Sequence, residues 1–183
     1  LCYLMVHQQD PVGLITFDDK IHASIPPKSK RTQLGNVLSV LAKLRPTGQT
    51  DISGSMIQLA AMLKHRSLVM IFSDLLAEPT PVIRALRRLR HGGHDVILFH
   101  ILDEAELTFP FDGLIEFEEP ETNATLEVNA SHFRSDYLRE VTTFRETYRH
   151  ECFQSGIDYV GLDTSMPFDK ALTEYLVNRR ARC

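Results

Sequence analysis

Asp51, Ser53 and Ser55, in the stretch RPTGQTDISGSM (45–56), fall in the order D-x-S-x-S. One carboxylate and two hydroxyls at that spacing are hard oxygen donors of the kind Mg²⁺ prefers. The same residues suit a second task. Ile52, Met56, Leu59, Ala60 and Leu63 recur every three or four positions, so Thr50 or Asp51 stands where a helix N-cap is wanted. A metal loop needs a strand end to fix its carboxylate, whereas LAKLRPTGQ reads as a helix end and a turn, so the match is read as fortuitous. LDTSMP (162–167) does follow a strand and sets Asp163 and Ser165 at the same spacing, but Pro167 takes the place of the second hydroxyl. Half a metal loop and a helix cap are both open there.

Other oxygen donors fall at strand ends, and in an open α/β sheet ligands gather at the carboxyl edge. Asp18 and Asp19, Ser73 with Asp74, Asp103, and Asp163 with Thr164 and Ser165 all occupy such ends. Asp74 is the sharpest of them, because it terminates the most apolar run in the chain. It could hold Mg²⁺ with loop hydroxyls, or cap the turn that follows. The chain has no G-x-S-x-G elbow, no G-x-x-x-x-G-K-[ST] loop and no G-x-G-x-x-G. Gly48 to Ser55 imitates a phosphate loop but lacks its lysine and its strand. His91 and His94 flank two glycines and read as a turn rather than a zinc half-site. Glu116, Glu118, Glu119 and Glu121 read mostly as the wet face of a hairpin. Arg84, Arg87, Arg88 and Arg90 read as a solvated helix face, or as a surface for an acidic partner.

Several elements must position these groups. VGLITF (12–17) and IHASIP (21–26) read as antiparallel strands around a tight turn at Asp18, Asp19 and Lys20. Leu34, Val37, Leu38, Leu41 and Leu44 make a helix that Pro46 and Gly48 close. SLVMIFSD (67–74) and HDVILFHIL (94–102) read as buried parallel strands. Between them lies a helix with Thr80 as cap, Pro81 at its first position and Gly92 with Gly93 as its stop. GLIEFEEPETNATLEVNA (113–130) reads as a small hairpin. A long helix spans roughly 131–154, ended by Gly156; IDYVGLD (157–163) is a last strand and FDKALTEYLVNRR a last helix.

At 183 residues, 43% hydrophobic and 24% charged, the chain suits one globular core. A formal charge of −4 argues against nucleic-acid binding, which needs a surplus of Lys and Arg. No apolar run reaches the roughly 20 residues of a membrane helix. Cys2, Cys152 and Cys183 lie far apart, without the spacings of zinc sites or disulfide frameworks, which favours a reducing, cytoplasmic setting. LCYLMVHQQD has the spacing of a helix already under way, as in a piece of something longer.

QQDPVGLITFDDKI, GQTDISGSM, LVMIFSDLL, LRHGGHDVILFHILDEAELTFPFDG and GIDYVGLDTS, in that order, resemble the von Willebrand factor A-like domain of a bacterial family, domain of unknown function family 58. The resemblance covers nearly the whole of 1–183. It implies a single α/β domain, Rossmann-like and three-layered, with a mainly parallel sheet, helices on both faces, a hairpin at the start and a small inserted hairpin near 113–130. It implies that Thr50 and Asp74 are metal ligands, with Asp51 and Ser53 standing behind them. It further implies that the D-x-S-x-S loop and the strand carrying it lie upstream of Leu1, so that this chain binds Mg²⁺ weakly or not at all. The central sheet would then be open to self-association. Family members are commonly encoded beside MoxR-type AAA ATPases, so the expected function is a non-enzymatic protein-interaction module acting with such an ATPase. The rival is a Mg²⁺-dependent hydrolase or phosphatase built on Asp74 or Asp163.

Overall fold

A computed structural model describes residues 1–45, 50–119, 124–167, 169, 170 and 173. The chain divides into two compact units, Leu1–Leu59 and Ala60–Cys183.

The first unit holds α1 (Cys2–His7), β1 (Val12–Phe17), β2 (Ile21–Lys28), α2 (Thr32–Leu41) and the greater part of α3 (Ile52–Met62). As the sequence predicts, β1 and β2 form an antiparallel hairpin. Its register shifts between Val12 and Leu14, where Gly13 is required. A Cβ there would stand 2.8 Å from the Ile25 carbonyl oxygen, a clash that only glycine avoids. Gln33, buried in the first turn of α2, straps the hairpin's open end. Its amide nitrogen donates to the carbonyls of Val12 (2.7 Å) and Pro26 (2.9 Å), one on each strand. Both acceptors lie at the hairpin's irregular end, where partners must come from outside the ladder. The helix expected to run through Leu44 stops at Leu41 with Ala42 as its C-cap. Pro46 and Gly48, the expected stop signals, lie outside the described residues.

The second unit holds β3 (Leu68–Ser73), α4 (Pro79–His91), β4 (Asp95–Leu102), α5 (Glu104–Thr108), β5 (Leu114–Glu119), β6 (Ala124–Asn129), α6 (Ala130–Gln154) and β7 (Asp158–Asp163). The strands β3, β4 and β7 form a parallel sheet with β4 in the middle. Burial on both faces explains the unbroken apolar character of β4, whose residues Val96 to Phe99 and His100 are all inside. Helices flank this sheet, and the fold is the α/β architecture read from the sequence. In the parallel register Ser73, His100 and Gly161 lie side by side, as do Ile71, Leu98 and Tyr159. Among the described residues β3 pairs with β4 alone.

The small hairpin of β5 and β6 sets Ile115 opposite Val128 and Phe117 opposite Leu126 on one face, and Glu116 opposite Glu127 on the other. Phe109, Phe111, Phe117, Phe133 and Tyr137 form a chain of ring contacts beneath it. Glu116 and Glu118 are exposed, as the alternation predicts. The side chain of Glu119, and Glu121 altogether, lie outside the described residues. So does most of the expected last helix, of which Asp169, Lys170 and Thr173 are helical.

One expected cap is corrected. Helix α4 begins two residues earlier than Thr80 and Pro81 suggest, because Glu78 is the N-cap and Pro79 the first helical residue. The Glu78 carboxylate accepts the N–H of Thr80 at 3.2 Å, and Pro79 has no N–H to satisfy. The four arginines of α4 divide. Arg87 pairs with Glu151 and donates to Ser155 Oγ at 2.9 Å, and Arg90 donates to the Gly156 carbonyl at 3.0 Å. Those two tie α4 to the end of α6, while Arg84 and Arg88 are exposed. Glu78→Ala is expected to lower stability by about 1 kcal/mol and Thr80→Ala by much less, read from urea unfolding midpoints; equal losses would restore Thr80 as the cap.

Candidate functional site

The D-x-S-x-S stretch is the capped start of α3. Asp51 Oδ1 accepts the backbone N–H of Gly54 at 2.8 Å and the Ser53 hydroxyl at 3.0 Å. That oxygen is thus spent on one of the helix's free N–H groups and on the Ser53 hydroxyl. The backbone N–H of Asp51 donates to the Asp18 carbonyl at 2.9 Å, and Ser55 Oγ donates to the same oxygen at 3.5 Å. The hairpin turn is therefore docked on the N-terminus of α3. Thr50 is exposed just ahead of it.

On that turn Asp18, Asp19 and His22 bring one potential metal-ligand atom each to within 4.8 Å of the others. Sequence reading marks the two acids and misses His22, which lies four residues on and returns across the turn. Asp18 and His22 already form an ion pair. The Asp19 side chain, the N–H of Lys20 and His22 together hold the Asp18 carboxyl down at about 2, against the opposing pull of burial.

In the second unit the carboxyl ends of β3, β4 and β7 carry Asp74, Asp103 and Asp163. All three accept a backbone N–H, and among the described residues Asp103 alone uses both oxygens. Asp103 caps α5 in a full capping box, its Oδ1 accepting from the N–H of Ala105 at 2.9 Å while Glu106 accepts the N–H of Asp103 at 2.7 Å. Its Oδ2 accepts the Thr164 hydroxyl at 2.9 Å, joining the ends of β4 and β7. Asp163 Oδ1 accepts the N–H of Ser165 at 2.8 Å, so this half match is a turn cap. Capping holds the Asp103 carboxyl below its ordinary range.

Asp74 is different. It is exposed, its Oδ1 accepts the N–H of Leu76 at 3.2 Å, and its second oxygen has no hydrogen-bond partner among the described residues. The bend it begins is tightly determined. Leu75 adopts φ 58°, a left-handed conformation costly for a residue with a branched side chain, and its side chain is 0% exposed. The N–H of Leu75 donates to Ser73 Oγ at 3.0 Å, and the N–H of Ala77 to the Leu75 carbonyl at 2.6 Å. Leu76 is thrown outward, 69% exposed.

Beneath the bend lies His100, fully buried in β4, which the sequence reading passed over. Its Nε2 is 3.0 Å from the Asp74 main-chain carbonyl and its Nδ1 is 2.8 Å from the Tyr159 hydroxyl. A carbonyl can only accept, so Nε2 carries the proton; in the neutral ring Nδ1 then accepts from Tyr159. Burial lowers the pKa of His100 and raises that of Tyr159, so both stay neutral at pH 7. Phe144 and Tyr148 of α6 meet the imidazole edge-on, with centroids 5.7 and 5.8 Å away. The Arg145 guanidinium reaches the space above Gly161, where a Cβ would meet it at 3.5 Å. The one visible signal was a polar His inside the apolar run DVILFHIL.

This arrangement can offer a carboxylate oxygen at the sheet's rim. It does not arm a nucleophile there. Both nitrogens of His100 are engaged below the backbone and cannot act as a base on a substrate at Asp74. The buried Cys152 thiol is pushed up to about 12 by burial and is inert.

The comparisons with known proteins agree with this fold. The family described as Protein of unknown function DUF58 matches residues 1–147, and the chain belongs to that family. It is similar to a crystal structure of the hypothetical protein BatB from Bacteroides thetaiotaomicron, at 12% identity and a TM-score of 0.55, covering 100% of this chain and 85% of that one. It is also similar to an aerotolerance-related membrane protein from Bacteroides fragilis, at 13% identity and a TM-score of 0.54, covering 94% of this chain and 85% of that one. At such identities the likeness is one of fold. No curated protein matches the chain. Among the described residues no helix is long and apolar enough to cross a membrane.

The depressed Asp18 acid has a definite sign. Its stabilising contribution is complete above the ordinary carboxylate pKa of 3.8 and is lost as pH falls toward about 2. A carboxyl-carbon NMR titration should place the Asp18 midpoint near 2 and show it moving up in His22→Ala; an unmoved midpoint would remove His22 from the network.

Proposed function

We propose that the chain is a non-enzymatic protein-interaction module whose contact is made at the carboxyl rim of its parallel sheet, through Asp74. The observation that supports this reading is the setting of Asp74 among the rim's acids: it is exposed, spends one oxygen on backbone and is followed by an exposed leucine, whereas Asp103 spends both oxygens and Asp163 is half-buried. A carboxylate held out beside an apolar side chain on a rigid bend suits recognition of a protein surface.

The metal-assisted form of the proposal has a divalent cation bridge the carboxylates of the module and its partner, which would otherwise repel. Thr50 and Asp74 are the ligands proposed for it, with Asp51 and Ser53 supporting. Both supply oxygen, which fits Mg²⁺, a cation that keeps several waters and tolerates few protein ligands. The partner proposed is a MoxR-type AAA ATPase. Self-association is proposed through β3, whose six residues Leu68 to Ser73 carry neither charge nor proline to guard an edge.

The test is capture of the ATPase by this chain, with Asp74→Ala and Thr50→Ala made singly and with EDTA added. Asp74→Ala is expected to reduce capture about tenfold, the order of one lost charged contact. EDTA should do the same if a cation is shared. Undiminished capture by Asp74→Ala would end the proposal, and an effect of Asp74→Ala without an effect of EDTA would retain the contact and discard the metal.

A further inference from the structure

The bend at Ser73–Ala77 holds a non-glycine residue in a left-handed conformation, which persists only where surroundings over-determine it. Two of the restraints are local: Ser73 Oγ takes the N–H of Leu75, and Asp74 Oδ1 takes the N–H of Leu76. The second lies on the bend itself and would move with it, whereas Ser73 is the last residue of β3, in register with His100. Two come from the core. One is the Leu75 side chain, fully buried as a plug. The other is the His100 ring, which spans from the Tyr159 hydroxyl of β7 to the Asp74 carbonyl.

The ring's position follows from the register. His100 lies between Ser73 of β3 and Gly161 of β7, and Tyr159 lies two residues before Gly161 on the same face. The glycine leaves the space beside the imidazole to the Arg145 guanidinium and the Tyr159 ring. Phe144 and Tyr148 close the cage from α6. A histidine enclosed in this way has one acceptor to give its proton to, the Asp74 carbonyl, and one donor to receive from, Tyr159. Leaving either nitrogen unpaired inside would carry the full desolvation penalty of a buried polar group, so the pairing is strongly favoured.

We propose that His100 is a positioning residue for Asp74: by holding the Asp74 carbonyl inward from β4, with its tautomer set by Tyr159, it keeps the Leu75 bend closed and the Asp74 carboxylate turned to the rim. With the peptide carbonyl anchored below and Oδ1 bonded to the Leu76 N–H, both the backbone and the side chain of Asp74 have a set bearing. That Asp74 then serves a partner rests on the reading in the preceding section. That His100 holds it does not.

The experiment compares native-state hydrogen exchange in the wild-type chain, His100→Leu and His100→Gln. Gln can present an N–H close to where the imidazole presents Nε2–H; Leu fills space without a donor. In His100→Leu the amides of Leu75, Leu76 and Ala77 are expected to exchange about tenfold faster, the equivalent of one lost hydrogen bond, while those of Ile97 to Phe99 in β4 do not change. His100→Gln should recover most of that protection. Equal exchange of the bend in the two variants, or a rise that spreads evenly over β4, would overturn the proposal. If His100→Leu does not fold, Tyr159→Phe replaces it, since loss of the hydroxyl frees the ring to leave the carbonyl. Faster exchange confined to 75–77 then supports the proposal, and unchanged exchange overturns it. A bend that loosens in His100→Leu, together with ATPase capture undiminished by Asp74→Ala, would retire the interaction reading and leave the positioning role standing.

Discussion

The hydrogen bond from His100 to the Asp74 carbonyl is the constraint on which the geometry of the sheet's rim depends. A parallel sheet ends abruptly at its carboxyl edge, where each strand must hand its backbone to a loop without leaving buried N–H or C=O groups unpaired. At the end of β3 the chain does this in an uncommon way, by turning through a left-handed leucine. Such a turn would relax if its only restraints travelled with it. The central strand β4 supplies a restraint that does not, because its own pairing on both sides fixes it.

The other carboxylates show what the rim would look like without that arrangement. Asp51, Asp103 and Asp163 sit at positions equally suggestive of metal ligation, and each is drawn into the nearest free N–H groups. Short acidic side chains at element ends behave so because the backbone donors are adjacent and the entropy cost of reaching them is small. Asp74 makes the same bond through one oxygen, as Asp51 and Asp163 do. Its peptide is meanwhile held from below, which separates the direction of the carboxylate from the needs of the loop. Tyr148, whose hydroxyl is buried without a hydrogen-bond partner among the described residues, marks how tightly the apolar rings of α6 close over this corner; burial raises its pKa.

Much of this was legible in the sequence, and the reasons differ by element. The strands β3, β4 and β7 and the long helix α6 declare themselves because burial on two faces, or on one helical stripe, demands long runs of apolar residues at fixed periods. The hairpins follow from alternation around Asp18–Lys20 and around 120–123. Helix α5 escaped, since five residues carry too little periodicity, although Asp103 and Glu106 had the capping-box spacing. The Glu78 cap escaped because Thr80 is the more usual residue type. At the site, Asp74 was readable from its place at the end of an apolar strand. His100, Tyr159 and Leu75 were not. They lie far apart in the chain and meet only through strand register, and a left-handed leucine has no signature in composition or spacing.

A single spectroscopic measurement reaches the centre of this account. Long-range ¹H–¹⁵N correlation of the histidine rings at pH 7 should find His100 neutral, protonated at Nε2 and unprotonated at Nδ1, with an Nε2 proton slow to exchange with solvent. A ring protonated at Nδ1 and bare at Nε2 would mean that the Asp74 carbonyl is not held from β4, and the fixed bearing of its carboxylate would have no physical basis.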